Sequence, residues 1–142
     1  KDKIEFNGMK DVEVTFPLIE DITMKVAEKY GMIMPGEDST KAVRAVFVID
    51  PAGIIRAIIY YPLSTGRNFQ ELRRLVIALQ AADALEIATP ADWVPGEPVI
   101  VPPPGSCGTA KERVEDPSVR AVDWFFATKD VSEAAVMEAI DS

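Results

Sequence analysis

The sequence predicts an α/β fold: a greasy, buried β-hairpin with helices packed on it, followed by an extended C-terminal arm. Three observations carry that prediction. Two dense apolar runs, Ala42 to Ile49 and Ile54 to Tyr61, are joined by the tight-turn signal "DPAG" at Asp50 to Gly53. Apolar residues recur at helical spacing on either side of that pair. Most of the eleven prolines then crowd into the stretch from Pro90 to Pro117, where a polyproline-like arm is favoured over a helix. With 142 residues the chain is long enough for one principal core. The change of character divides it into a domain over residues 1–87 and an arm over residues 88–142.

Taken in chain order, the first dozen residues are polar, and "VEVTFPLI" from Val12 to Ile19 reads as a short strand, with Pro17 marking a sheet edge or strand end. Asp21 is a suitable N-cap for a short amphipathic helix whose Ile22, Val26 and Tyr30 form one stripe before Gly31 stops it. Met32 to Ala42 reads as a loop from its Pro, Gly, Asp and Ser content. Both faces of the hairpin strands are apolar, which predicts cover on two sides. Asn68 caps the next helix with Glu71 as its capping-box partner, and Phe69, Leu72, Leu75, Val76 and Leu79 form the stripe that packs on the hairpin. In the tail, "VDWFFA" gathers Trp124, Phe125 and Phe126, and Ser132 caps a terminal helix with Val136 and Ile140 on one face.

Composition narrows the function. Fifteen basic against 23 acidic residues give a net charge of −8 and a pI near 4.6, so the basic patch that nucleic acid or an anionic membrane requires is missing. No apolar run reaches the ~20 residues that span a bilayer and no signal peptide opens the chain, which predicts a cytoplasmic protein. The sequence starts at Lys1 rather than a methionine, as a processed chain or a fragment of something longer does. There is no histidine and one cysteine, Cys107, so an intrachain disulfide, a Ser/His/Asp or Cys/His arrangement and a Cys/His zinc site are all excluded. No cofactor or metal motif is present.

Five features remain as candidates for chemistry. Arg44 shares a strand face with Val46 and Val48, and a charge there needs either a structural partner or an anionic ligand, because burial without one is costly. An exposed strand end serves it equally well. Arg67, in "STGRN", precedes a helix N-terminus where main-chain N–H groups favour anions, or is a solvated loop arginine. Cys107 sits in "PPPGSCG", with Lys111 and Arg113 near enough in sequence to lower its pKa modestly, or is a loop thiol without a role. Trp93 and the Trp124 to Phe126 cluster suit packing or interface anchors.

The order of "VTFPLIED", "YGMIMPG", "VRAVFVIDPAGIIRAIIYYP", "GRNFQELRRLVIALQ", "ATPADW", "VIVPPPGS" and "VDWFFATK" resembles the peroxiredoxin family, in particular its one-cysteine and archaeal thioredoxin-peroxidase-like members. The collinear match covers nearly the whole chain. It implies a partial thioredoxin-like fold over residues 1–87 and a dimerisation arm over residues 88–142. In that family a cysteine in a Pro-x-x-x-Thr-x-x-Cys motif attacks the peroxide, and no such motif occurs in these 142 residues. The resemblance therefore implies the C-terminal portion only. Arg44 matches the arginine that bonds the peroxidatic sulfur and the peroxide oxygens, and Arg67 matches the second arginine near that site.

Where some members carry further cysteines in the tail, this chain has Ala121 and Ala127, and Cys107 matches no catalytic position. The implied function is a non-catalytic, self-assembling scaffold whose ancestral substrate is a peroxide, a homo-oligomer built from dimers that often close into rings. Two alternatives follow from the same match: peroxidase activity restored by an N-terminal partner chain or by Cys107, and a regulatory subunit of full-length peroxiredoxins.

Overall fold

The computed structural model describes residues 4–6, 9–36, 41–103, 105 and 108–142. Contacts divide the chain into two compact units, Lys1–Val46 with Ile59–Thr65, and Phe47–Ile58 with Gly66–Ser142. Mixed α/β architecture is present, as the sequence predicts.

The first unit begins with strands β1 (Ile4–Phe6) and β2 (Met9–Val12), paired antiparallel with Ile4 opposite Val12. The strand expected over Val12 to Ile19 does not form beyond Val12. Phe16, Leu18 and Ile19 are 65%, 71% and 79% exposed, so no neighbour supplies the cross-strand contacts that hold an apolar strand. Helix α1 (Lys25–Lys29) starts later than predicted, with left-handed Met24 at its N-cap. Asp21 still serves the helix end: its two carboxylate oxygens accept the N–H groups of Val26 and Ala27 at 3.0 and 2.8 Å. The expected stripe of Ile22, Val26 and Tyr30 faces solvent, and Ala27 is the helix's buried residue.

Gly31 ends the helix region with φ +65°, as a C-terminal glycine should. The Tyr60 hydroxyl donates to the Tyr30 carbonyl at 2.7 Å, and the Val43 N–H donates to the Met32 carbonyl at 2.8 Å. Val43 is buried, and with Ala27 it makes up the closed interior of this unit among the described residues.

Strands β3 (Arg44–Ile49) and β4 (Ile55–Tyr61) form the predicted hairpin as a two-stranded sheet. Its turn follows the local chemistry: the Gly53 N–H donates to the Asp50 carbonyl, Gly53 has φ +82°, and an Asp50 carboxylate oxygen accepts from the Ala52 and Ile54 N–H groups. The two-sided cover is not there. Ile49, Ile54, Ile55, Ile58 and Tyr60 are all exposed, because a two-stranded sheet buries little of its own apolar surface.

The second unit is closed around helix α2 (Phe69–Leu85). Asn68 caps it, its side chain accepting from the Gln70 and Glu71 N–H groups at 3.1 and 3.2 Å. The predicted return contact from Glu71 is replaced by an ion pair with Arg74. The helix is apolar on two opposite faces. The stripe read from the sequence is only half-buried or exposed, whereas Ala78 and Ala81 join Ile87, Trp93, Val99 and Val136 in the core cluster, with Ile77 and Leu85 against it. The helix therefore turns its closest-packed face to α4 (Glu133–Asp141) rather than to the hairpin, because two small alanines let another helix approach.

The proline-rich stretch is not a free polyproline arm. Strand β5 (Val99–Val101) lies within it and pairs with a tail strand, and Ile100 also exchanges main-chain hydrogen bonds with Ala88. Helix α3 (Gly108–Glu115) follows where a stretch free of proline permits one. Strands β6 (Arg120–Asp123) and β7 (Phe126–Lys129) complete a three-stranded sheet in the order β5-β7-β6. Ala121 and Ala127 stand opposite one another in its register. Ser132 caps α4 through the Ala135 N–H, Val136 is buried and Ile140 packs on the core, as predicted.

Candidate functional site

Arg44 opens β3 at the end of the hairpin that belongs to the first unit, and its side chain is half-buried. Directly after β4, the chain folds into a turn in which the Thr65 N–H donates to the Pro62 carbonyl at 3.0 Å. The carbonyl of that same Thr65 accepts from Nη1 of Arg44 at 2.8 Å. Among the described residues the Arg44 guanidinium has no carboxylate partner: its contact is with a neutral oxygen, which orients the group and leaves its charge in place.

Arg67 belongs to the second unit, in the exposed loop directly before the Asn68 cap of α2. Trp93 is fully buried, its indole N–H donating to the Glu97 carbonyl at 3.0 Å, so it is a core residue. Trp124 and Phe125 stand exposed at the β6–β7 turn, edge to face with centroids 5.9 Å apart, while Phe126 opens β7 and is also exposed. Cys107 lies outside the described residues. Arg113 does not serve as a bystander charge: its guanidinium donates to the carbonyls of Pro102 and Val101, fastening α3 to the end of β5, while its Nε is shielded and unpaired.

Sequence reasoning passed over Arg56, the other arginine on the hairpin. It donates to both oxygens of Asp83 on α2, at 2.5 and 2.8 Å, with Asp50 a further 3.7 Å contact. The side-chain hydrogen bond to Arg56 holds the Asp83 carboxyl below the usual carboxylate range, and the same bond raises Arg56. Partners 27 residues apart give no local signal; the only available clue was an arginine among the apolar residues of "GIIRAII", the same argument that singled out Arg44. Arg74 is likewise neutralised, bonding both oxygens of Glu71 at 2.6 and 2.8 Å and the Trp93 carbonyl at 3.2 Å, which pulls the Glu71 carboxyl down.

A cleft of about 480 Å³ in the second unit is lined by Gln70, Arg73, Ile77, Val94, Glu133 and Met137 among others, and holds none of the residues predicted for chemistry. Among the described residues no group of His, Cys, Asp or Glu is placed to hold a metal ion, and no helix is long and apolar enough to cross a membrane.

Known proteins are similar to this chain along most of its length. Residues 3–58 match the AhpC/TSA family, and residues 78–116 match the C-terminal domain of 1-Cys peroxiredoxin. A peroxiredoxin of Methanosarcina mazei is 55% identical over 131 residues, covering 91% of this chain and 60% of its own length. Peroxiredoxin 2 of Caldanaerobacter subterraneus is 50% identical over 121 residues, covering 84% of this chain and 55% of its own length. The structure of the yeast mitochondrial 1-Cys peroxiredoxin superposes with a TM-score of 0.70 at 35% identity, over 83% of this chain and 57% of that one. The chain thus spans between half and two thirds of the length of these relatives.

Proposed function

Because the chain belongs to the peroxiredoxin family, we propose that it retains the arginine half of a peroxide site, Arg44 and Arg67, without the attacking cysteine, and acts as a non-catalytic, self-assembling scaffold. The observation that carries this reading is Arg44: a half-buried guanidinium on an apolar strand, oriented by a carbonyl, with its charge left for an anion. In a peroxidase such a charge steadies the thiolate and the developing negative charge on the departing oxygen. Here the sequence offers no Pro-x-x-x-Thr-x-x-Cys motif to supply the thiolate, and Cys107 stands outside any such pattern.

Peroxide consumption with dithiothreitol as reductant tests this directly. The chain and its Cys107→Ala variant should both turn over peroxide at the background rate; a rate that depends on Cys107 overturns the non-catalytic reading.

Assembly is the second part of the proposal. Phe16, Leu18, Ile19 and Ile22 are each well over half exposed, four large apolar side chains within seven residues of sequence. Copies of this chain cover it in a homo-oligomer built from dimers, with closure into a ring as the extended form. Native mass spectrometry at dilute concentration should show dimers or larger species, and a stable folded monomer would count against assembly. The same surface favours one further reading, in which another polypeptide seats there, either an N-terminal partner that restores peroxidase activity or a full-length peroxiredoxin that this chain regulates. Co-purification with a full-length relative and a gain of activity on mixing separate those outcomes from self-assembly.

A further inference from the structure

The Pro62–Thr65 turn has a position in the fold that the family match does not explain. It closes immediately after β4 through the Thr65 N–H to Pro62 carbonyl bond, and that closure brings the Thr65 carbonyl to 2.8 Å from Nη1 of Arg44, 21 residues earlier in the chain. Arg56, Arg74 and Arg120 meet carboxylates, which orient and neutralise together, whereas Arg113 is held by carbonyls at the end of β5. Arg44 is oriented without being neutralised. From this contrast we infer that the Pro62–Thr65 turn is the positioning element of Arg44, and that Thr65 acts through its main chain.

The carbonyl fixes the Nη1 side of the planar guanidinium, and because the group is rigid, fixing one side sets the direction of the rest. The Nε and Nη2 donors bond nothing among the described residues and present a fork to an oxyanion, the class of ligand that such an edge takes in bidentate fashion. The Thr65 side chain is not part of this contact. Gly66 follows with open space around its Cβ position, so nothing in the structure crowds the turn from that side. This inference rests on the proposed role of Arg44 as an anion-binding residue.

Two substitutions separate main chain from side chain. Thr65→Val keeps the N–H and the carbonyl, whereas Thr65→Pro removes the N–H that closes the turn and also drives Ser64 out of the turn conformation. Sulfate serves as the probe, titrated into the full chain and followed by the guanidinium ¹H–¹⁵N signals, with circular dichroism to establish folding. Thr65→Val should match the parent protein. Thr65→Pro should weaken sulfate roughly fivefold, the orienting effect of about one hydrogen bond, and should speed exchange of the Arg44 guanidinium protons.

A folded Thr65→Pro protein with unchanged sulfate affinity and unchanged proton exchange overturns the inference. If Arg44→Ala leaves sulfate binding intact, the anion-site role of Arg44 fails instead, and the exchange rates still decide whether the turn positions the group. Should Thr65→Pro not fold, an ester in place of the Thr65–Gly66 amide weakens the same carbonyl as an acceptor without altering its shape, and the same two readouts apply.

Discussion

The two compact units differ in how much core they close and in how they treat a hairpin arginine. In the second, Trp93, Val99, Ala81 and Val136 are fully buried in one cluster, and the hairpin arginine that belongs to it, Arg56, is closed off by Asp83 and Asp50. In the first, Phe16, Leu18, Ile19 and Ile22 lie open, and among the described residues the hairpin arginine that belongs to it, Arg44, meets only a carbonyl. The second closes a core and neutralises its hairpin arginine, although Phe69 and Val122 lie open on it as well; the first, among the described residues, closes little beyond Ala27 and Val43 and leaves the charge of Arg44 in place. The lesson is that an arginine on a greasy strand is not one signal but two, and the partner's charge tells them apart.

The sharpest way to break that contrast is to remove large side chains from each unit. Trp93→Ala should cost about 3–5 kcal/mol in urea denaturation, while Leu18→Ala should stay within about 0.5 kcal/mol at dilutions where the chain is monomeric and cost more at concentrations where copies cover it. A loss at Leu18 that does not grow with protein concentration would count against assembly through that face.

Caps come next, since each unit has a helix with a side-chain cap. Asn68→Ala should destabilise the second unit by about 1 kcal/mol, and Asp21→Ala should release a similar amount from α1, read as faster amide exchange at Val26 and Ala27. Equal exchange before and after Asp21→Ala would mean the short helix is held by something other than that carboxylate.

Smaller still, and more pointed, is the pair of hairpin arginines. Arg56→Gln should lower the thermal midpoint by a few degrees, because it leaves Asp83 without its bidentate partner, while Arg44→Gln should leave it unchanged or slightly raised. The reverse order would make Arg44 the structural residue.

The least of the expected effects is in acid. Asp83 and Glu71 are both held below the usual carboxylate range by arginine hydrogen bonds. A carboxyl depressed in the folded state contributes stability that is complete above its unfolded pKa and is lost as pH falls through its folded pKa. Thermal midpoints should therefore decline below about pH 4, and Asp83→Asn should flatten part of that decline. A decline of the same steepness in Asp83→Asn would assign the acid sensitivity elsewhere.

Sequence alone determined what local chemistry governs. Gly53 and Asp50 make the hairpin turn whatever surrounds them, Asn68 and Ser132 start their helices with their own side chains, and the ordered string of motifs identified the family. It also singled out Arg44 as a charge that needs an account. Tertiary structure decided everything that depends on a partner far along the chain. The residues after Val12, up to Ile19, have strand composition but no strand beside them among the described residues, β5 is a sheet strand only because β7 lies alongside, and α2 packs through its alanines because α4 is there to meet them. The division between Arg44 and Arg56 belongs to the same class. Both are arginines on apolar strands, and only the fold gives one an aspartate 27 residues away and the other a carbonyl 21 residues away. Periodicity and capping act within a few residues, whereas neutralisation of a charge and closure of a core are set by contacts that no short window contains.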